Sequence, residues 1–259
     1  MTYRAGPGRG AGTSYGIASR LRWAYDINPL GAFSRDYQVS THGNNWSYGL
    51  SDGTIWLRYE WSGFDAHDRL TNHFYDQAPP PYYSPFFSVT TDPRGRITDD
   101  GEYRYDWNTR DQITRVERIS DAANWQFEYD ADGHLRRFQE GGQWRRLTWV
   151  AGQLQREFFG SERASQPFLI RVFHPDGVTD DGRRFMYDRD ARGSILRFVR
   201  NSVVAHSWGY DPQGNRVDLS GSETVGSRLG FAGYVTHADT GLMFTPHRVY
   251  SARLRQWLA

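Results

Sequence analysis

Two N-terminal motifs contain residue types that can do chemistry. Residues Gly12 to Gly16 read Gly-Thr-Ser-Tyr-Gly, which matches the G-x-S-x-G turn that presents a nucleophilic serine in hydrolases. That turn needs a strand before the serine and a helix after it, whereas a glycine-rich stretch precedes Ser14. Gly6 to Gly12 has the composition of a phosphate-binding loop, but the chain has no lysine to serve as a Walker lysine. We therefore expect a flexible arm here and no hydrolase or nucleotide site.

Acidic and histidine residues suggest a second chemistry, metal binding. The Asp-Asp-Gly stretches at 99–101 and 180–182 carry paired carboxylates, but hairpin turns use the same residues and no EF-hand spacing of oxygen ligands follows. The 8 histidines are scattered, with no HExxH or other chelating pair. We expect turns at both stretches, no metal site and no other cofactor.

The elements that would position such residues are short antiparallel strands. Residues 102–107 and 124–130 alternate between polar and aromatic side chains, the pattern of strands with one dry face and one wet face. Asp-Gly and Asp-Pro-x-Gly turns separate them, as at 92–95 and 211–214. The sequence therefore predicts an all-β fold, an array of antiparallel hairpins with few helices.

The composition narrows the class of partner. The net charge is +1 at pH 7, all 31 basic residues are arginine, and no cysteine is present. This balance gives no electrostatic footprint for nucleic acid or membranes. Residues 1–30 contain no continuous apolar run, so we expect no signal peptide. The localisation stays open between the cytoplasm and export by a specialised secretion system.

A Tyr-Asp pair recurs along the second half of the chain. A short unit that recurs cannot bury its apolar face alone, so copies must stack to form a continuous core. The C-terminal stretch 230–259 adds an ordered set of aromatic, glycine and arginine residues. The repeat signature comprises Tyr105, Asp106, Tyr129, Asp130, Tyr187, Asp188, Tyr210 and Asp211, and the closing segment carries Phe231, Gly233, Gly241, Leu242, Arg248, Tyr250 and Trp257.

These motifs resemble the YD repeats of Rhs proteins, toxin-complex C components and teneurins, and residues 230–259 resemble the Rhs core-associated segment. The resemblance implies a spiral of hairpins wound into a shell that encloses a toxin, which an aspartyl protease in the core-associated region releases. This chain is several times shorter than such shells, so we expect a short shell or a shell segment. The expected parts are a Gly-rich arm (1–20), an irregular β region (21–77), a Pro-rich connector (78–87), YD-repeat hairpins (88–229) and the closing segment (230–259).

On this basis the sequence predicts a non-enzymatic scaffold that binds a protein, namely a toxin, a secretion-system carrier or another copy. Two alternatives stay open: a remnant aspartyl autoprotease, for which Asp239 is the candidate in the matched segment, and a carbohydrate-binding module. Pro79-Pro80-Pro81-Tyr82 matches a WW-domain ligand by its letters, although a rigid connector is the favoured interpretation. We expect an unpaired sheet edge near Leu21 to Tyr25 to contact the partner. The contact residues predicted there and in the Pro-rich stretch are Trp23, Tyr25, Pro81, Tyr82 and Tyr83.

Overall fold

The chain forms two compact units, Met1–Arg104 and Tyr105–Ala259. The computed structural model describes residues 11–15, 21–28, 31–39, 45–51, 56–65, 69–76, 86–160, 168–211, 213–221 and 228–259. The division falls inside the stretch 88–229 that we expected to be one array of hairpins. The closing segment, in contrast, belongs to the second unit together with most of the repeats.

The first unit contains a sheet whose seven strands pair antiparallel in sequence order. These strands are β1 (Ala11–Tyr15), β2 (Leu21–Asn28), β3 (Gly31–Val39), β4 (Asn45–Ser51), β5 (Trp56–Phe64), β6 (Leu70–Asp76) and β7 (Phe86–Ser88). Two short strands, β8 (Thr90–Thr91) and β9 (Ile97–Asp99), follow and pair with each other.

Three expectations for the N-terminal stretch are corrected by this sheet. Residues 11–15 form strand β1 and are not part of a flexible arm. Ser14 pairs with Trp23 in the middle of an antiparallel ladder, which is not the strand-to-helix turn of a nucleophile elbow. Strand β2 is hydrogen-bonded to β1 and to β3, so Leu21 to Tyr25 is not an edge. The predicted contacts Pro81, Tyr82 and Tyr83 lie outside the described residues.

The second unit is also built from antiparallel strands that pair with their neighbours in sequence. They are β10 (Tyr103–Trp107, which begins in the first unit), β11 (Ile113–Arg118), β12 (Asn124–Tyr129), β13 (Leu135–Glu140), β14 (Gln143–Val150), β15 (Gln153–Phe159), β16 (Phe168–His174), β17 (Gly177–Asp180), β18 (Arg183–Arg189), β19 (Ile195–Arg200), β20 (Val203–Tyr210) and β21 (Arg216–Gly221). The prediction of an all-β array of antiparallel hairpins is confirmed.

The closing segment adds a small sheet of four strands to the second unit. A single 3-10 turn, Phe231–Gly233, precedes it, and no α-helix occurs among the residues that the structure describes. The strands are β22 (Val235–Thr236), β23 (Leu242–Phe244), β24 (Val249–Ser251) and β25 (Gln256–Trp257). No helix in the described part of the chain is long and apolar enough to cross a membrane.

One turn geometry recurs at six hairpins within the part of the chain that the structure describes. An acid or amide side chain accepts a hydrogen bond from the main-chain N–H four residues later, over 2.8–3.1 Å. The main-chain N–H of the acid or amide residue in turn donates to the carbonyl of the residue four positions later. Asp and Asn suit this position because their short side chains reach their own backbone. The six residues are Asp65, Asp92, Asn108, Asp130, Asp190 and Asp211.

Each turn also sets the next side chain of the core. The residue five positions after the turn acid is an aliphatic side chain, at most 2% exposed, in five of the six hairpins. These residues are Leu70, Ile97, Ile113, Leu135 and Ile195, and the sixth is the exposed Arg216. The repeating unit is therefore an acid that closes the turn and an aliphatic residue that fills the core.

In two of the four Tyr-Asp pairs, the Asp is not the acid that closes the turn. Asp130 and Asp211 are turn acids, but Asp106 and Asp188 lie two residues before the turn acid and are exposed. Their carboxylates instead face Arg115 at 3.6 Å and Arg197 at 3.5 Å across the hairpin. The four Tyr-Asp pairs consequently do not occupy one structural position.

The core of the second unit lies on one face of the long sheet. Phe138, Phe185, Phe198 and Trp208 are almost fully buried there, and the rings of Phe198 and Trp208 meet edge to face at 5.1 Å. Two tyrosines of the repeat signature, Tyr105 and Tyr187, differ in burial. Tyr105 is 3% exposed, whereas Tyr187 is only half-buried and lies under the guanidinium of Arg189.

Candidate functional site

A buried ion cluster joins the closing segment to the sheet. Arg228, which is 4% exposed, forms two hydrogen bonds of 2.7 Å with the two carboxylate oxygens of Glu140 at the end of β13. It also donates to Glu157 of β15 at 2.6 Å and to the carbonyl of Thr236 at 2.8 Å. The planar guanidinium suits this site because it can bind several acceptors at fixed angles.

The cluster extends further along the sheet through a second arginine. Arg171 of β16 donates to Glu157 at 2.7 Å, and its Nε lies 3.1 Å from a carboxylate oxygen of Asp180 in β17. Arg145 of β14 lies 3.7 Å from Glu140. Glu157 is fully buried between Arg228 and Arg171, so two cations compensate the cost of burying its charge.

The pKa values of the carboxyls follow from this pairing. Burial alone raises the pKa of Glu140, but the hydrogen bonds and the charge of Arg228 outweigh it and lower the pKa to about 2. In the same way burial raises the pKa of Glu157, while the charges of Arg228 and Arg171 bring it below its usual range. Both groups are therefore carboxylates at neutral pH.

His237 fills the aromatic pocket beside this cluster. Its ring lies between Trp125, Phe127 and Phe138, with centroids 5.1–6.0 Å apart. Its Nε2 is 2.6 Å from the carbonyl of Gln139, so this nitrogen carries the proton, and Nδ1 is 2.8 Å from the hydroxyl of Thr240. Burial lowers the pKa of His237, so the ring is neutral at pH 7.

Asp239, the candidate for a remnant protease, is bound by two hydrogen-bond donors. Trp125 Nε1 and the main-chain N–H of Gly141 each lie 2.7 Å from the same carboxylate oxygen. A protonated carboxyl pair needs one member with a raised pKa, whereas the pKa of neighbouring Glu140 is lowered. The geometry around Asp239 is thus that of a residue that fastens the closing segment to strand β12 and to the turn after β13.

The other predicted residues of the closing segment also make contacts inside the second unit. The ring of Phe231 lies 5.7 Å from that of Tyr210, and the hydroxyl of Tyr250 donates to the carbonyl of Gln213 at 2.8 Å. Leu242 is buried, and Trp257 packs between Tyr234 and Tyr250 with Arg248 over its ring. Gly233 and Gly241 take positive φ angles of 74° and 69°.

One group of side chains in the described part of the chain could hold a metal ion. Ligand atoms of Asp130, Asp132 and His134 lie within 4.8 Å of one another. One carboxylate oxygen of Asp130, however, already closes the turn, because it accepts a hydrogen bond of 2.8 Å from the main-chain N–H of His134. Turn formation explains this cluster without an ion.

The charged members of the cluster were not singled out by the sequence. One signal was present: Glu140 follows the fully buried Phe138 by two residues in β13, so both side chains point to the same face of the sheet. An acid in phase with core residues needs a cationic partner. The identity of that partner depends on a contact with a residue 88 positions later, which no local pattern specifies.

Comparison with known proteins supports the fold. No model of a protein family matches the chain. The chain is 23% identical over 173 residues to the tRNA3(Ser)-specific nuclease WapA of Bacillus spizizenii, covering 64% of this chain and 7% of the relative. It is similar in structure to a chain of the Photorhabdus luminescens Tc holotoxin pore, with a TM-score of 0.52 and 13% identity over 100% of this chain and 17% of that chain. It is also similar to a chain of the TcdB2-TccC3 crystal structure. The TM-score is 0.52 and the identity is 13%, over 100% of this chain and 18% of that chain.

These likenesses define the class of fold. The chain has a β fold similar to that of the Rhs-repeat chains of Tc toxins. It spans about 7% of the length of the curated WapA relative that it matches.

Proposed function

We propose that this chain is a non-enzymatic YD-repeat scaffold, a segment of an Rhs-like shell that binds or helps enclose a protein partner such as a toxin or a secretion-system component. The observation that carries the proposal is the ion cluster of Arg228, Glu140 and Glu157. All three side chains are buried, and Arg228 donates three hydrogen bonds of 2.6–2.7 Å to the two carboxylates. A buried ion cluster of this kind holds the strands and the closing segment in fixed positions, which is the role of a scaffold.

The exposed apolar side chains of the second unit supply a surface for such a partner. Val150, Val203 and Leu219 are 64%, 67% and 64% exposed. Val203 and Leu219 lie on the neighbouring strands β20 and β21, and they are the candidate contact residues. The fold likeness to the TcdB2-TccC3 structure, which is named for two proteins, also supports a protein partner.

The name of the WapA relative motivates a second candidate, nuclease activity on tRNA. This candidate is weaker because the chain corresponds to only 7% of that relative. Incubation of the purified chain with total tRNA separates the two functions. The scaffold proposal expects intact tRNA, and cleavage that co-purifies with the folded chain would favour the nuclease.

The partner can be sought by site-specific photo-crosslinking in the producing cell. A benzophenone side chain replaces Val203 or Leu219, and a matched control carries it at the exposed Arg136. We expect one discrete adduct with a protein from an apolar position and none from the control. Diffuse adducts of equal intensity from all three positions would contradict a specific partner surface.

A further inference from the structure

A cleft with a volume of about 410 Å³ opens between the sheet and the closing segment of the second unit. Its floor consists of Leu154 of β15 and Phe173 of β16, both buried. Trp149 of β14 and Phe244 of the closing segment add aromatic side chains to the lining. This volume falls within the range of ligand-binding clefts, about 300–1,000 Å³.

The charge of the cleft has one sign. Arg189 is the only arginine among the described residues that line it, and no Asp or Glu lines it. The guanidinium of Arg189 lies 4.7 Å over the ring of Tyr187 and donates a long hydrogen bond of 3.4 Å to the carbonyl of Pro175. Among the described residues it forms no ion pair with a carboxylate, so it is available to an anion.

A histidine of the cleft, His174, carries no charge that would add to that of Arg189. His174 lines the same cleft and lies 3.2 Å from the hydroxyl of Thr179. Burial and the nearby charge of Arg184 lower the pKa of His174, which leaves the ring neutral at pH 7. Arg184 itself is engaged with Asp176. The cleft therefore offers one cation beside an apolar floor.

We propose that this cleft binds an acidic, aromatic peptide segment of the protein partner, with an aromatic side chain on the Leu154–Phe173 floor and an adjacent carboxylate on Arg189. This inference rests on the proposed function, because it names the chemistry by which the scaffold recognises its partner. Burial of one aromatic ring contributes most of the affinity, and a hydrogen bond between charged groups adds specificity.

An acidic glycan is the competing occupant, and the lining disfavours it. Sugar hydroxyls need many hydrogen-bond partners, whereas Leu154, Phe173, Trp149 and Phe244 give the cleft a large apolar surface. The polar side chains of the lining are fewer than the apolar ones and include Gln153, Gln155 and Thr245. An aromatic side chain matches this distribution better than a pyranose ring.

Isothermal titration calorimetry with the full chain tests the proposal. The probes are acetyl-Gly-Phe-Asp-Gly-amide, the same peptide with Asn for Asp, the same peptide with Ala for Phe, and trigalacturonic acid. We expect saturable binding of the first peptide below about 1 mM and roughly tenfold weaker binding of the other two peptides, the loss of one charged hydrogen bond or one buried ring.

Two pairs of variants assign the binding to the cleft. Arg189→Gln should remove the preference for the Asp peptide over the Asn peptide. Gln153→Glu should weaken binding of the acidic peptide, because the new carboxylate repels it. Arg136→Gln and Gln143→Glu make the same changes at exposed positions that do not line the cleft, and both should bind as the parent chain does. Thermal unfolding of each variant shows that the fold is kept.

Several outcomes would overturn the proposal. They are no binding of any peptide at 1 mM or higher (a weak limit even for so small a ligand), equal loss in variants and controls, or tight binding of trigalacturonic acid alone. None of these outcomes bears on the photo-crosslinks from Val203 and Leu219, which test the scaffold role by itself. If the peptide does not bind but a discrete crosslink forms, the scaffold proposal holds and the partner contacts a surface other than the cleft.

Discussion

At the scale of single residues, Arg228 organises the second unit. Its side chain binds Thr236 eight positions later and also Glu140 and Glu157, which lie 88 and 71 positions earlier in the sequence. Burying a charge is unfavourable unless it is paired and hydrogen-bonded, and here each carboxylate oxygen in contact with Arg228 is within 2.7 Å. Removal of one partner leaves the remaining charges uncompensated, which is more costly than loss of the pair itself.

The first prediction concerns Glu140. Its lowered pKa adds stability above the ordinary value of 4.5, and this contribution is lost as the pH falls through about 2. A shift of this size corresponds to roughly 3 kcal/mol. We expect Glu140→Gln to destabilise the chain by about 3 kcal/mol at pH 7 and to flatten the decline of stability between pH 4.5 and pH 2.

Urea unfolding at several pH values measures both effects. The matched control is Glu128→Gln, because Glu128 forms an exposed ion pair with Arg137 at 3.4 Å. That change should cost less than about 0.5 kcal/mol. Equal costs for the two substitutions would show that the buried cluster does not contribute more than a surface ion pair.

At the scale of elements, the repeated turn explains how much the sequence could predict. Alternation and Asp-x-x-Gly stretches predicted hairpins correctly because both signals are local. The Tyr-Asp signature does not mark the turn at Asp106 and Asp188, because the residues that close these turns are Asn108 and Asp190, two positions later. Asn108 escaped notice because its turn lacks the glycine, and Asp111 takes the positive φ of 60° instead.

The second prediction concerns two glycines with positive φ. Gly214 has a φ of 94°, and a Cβ there would lie 2.8 Å from the ring of Phe231 in the closing segment. Gly182 has a φ of 73° with no atom within 4 Å of such a Cβ. We expect Gly182→Ala to cost about 1 kcal/mol from backbone strain alone, and Gly214→Ala about 3 kcal/mol because steric overlap adds to it. Thermal unfolding of the two variants measures the difference, and equal shifts in Tm would mean that Phe231 is not packed on this turn.

At the scale of the whole molecule, the closing segment is part of the core of the second unit. Its Phe244 stacks on Phe127 of β12 at 5.0 Å, and Leu258 near the C-terminus is fully buried. The sequence predicted a closing segment by resemblance, but it could not predict which strands the segment covers. Contacts such as Asp239 with Trp125 join residues 114 positions apart, and their choice depends on the assembled sheet.

The last prediction follows from this shared core. Removal of residues 228–259 would uncover Phe127 and Phe138 and leave Glu140 and Glu157 without Arg228. We expect the truncated chain to lose cooperative unfolding and to bind the dye 1-anilinonaphthalene-8-sulfonate, as states with loosened packing do. Leu258→Ala tests the same core more gently and should cost about 3 kcal/mol, as for other buried leucines, while keeping a single cooperative transition. A truncated chain that unfolds cooperatively at the Tm of the intact chain would mean that the sheet is stable alone and that the segment covers it without stabilising it.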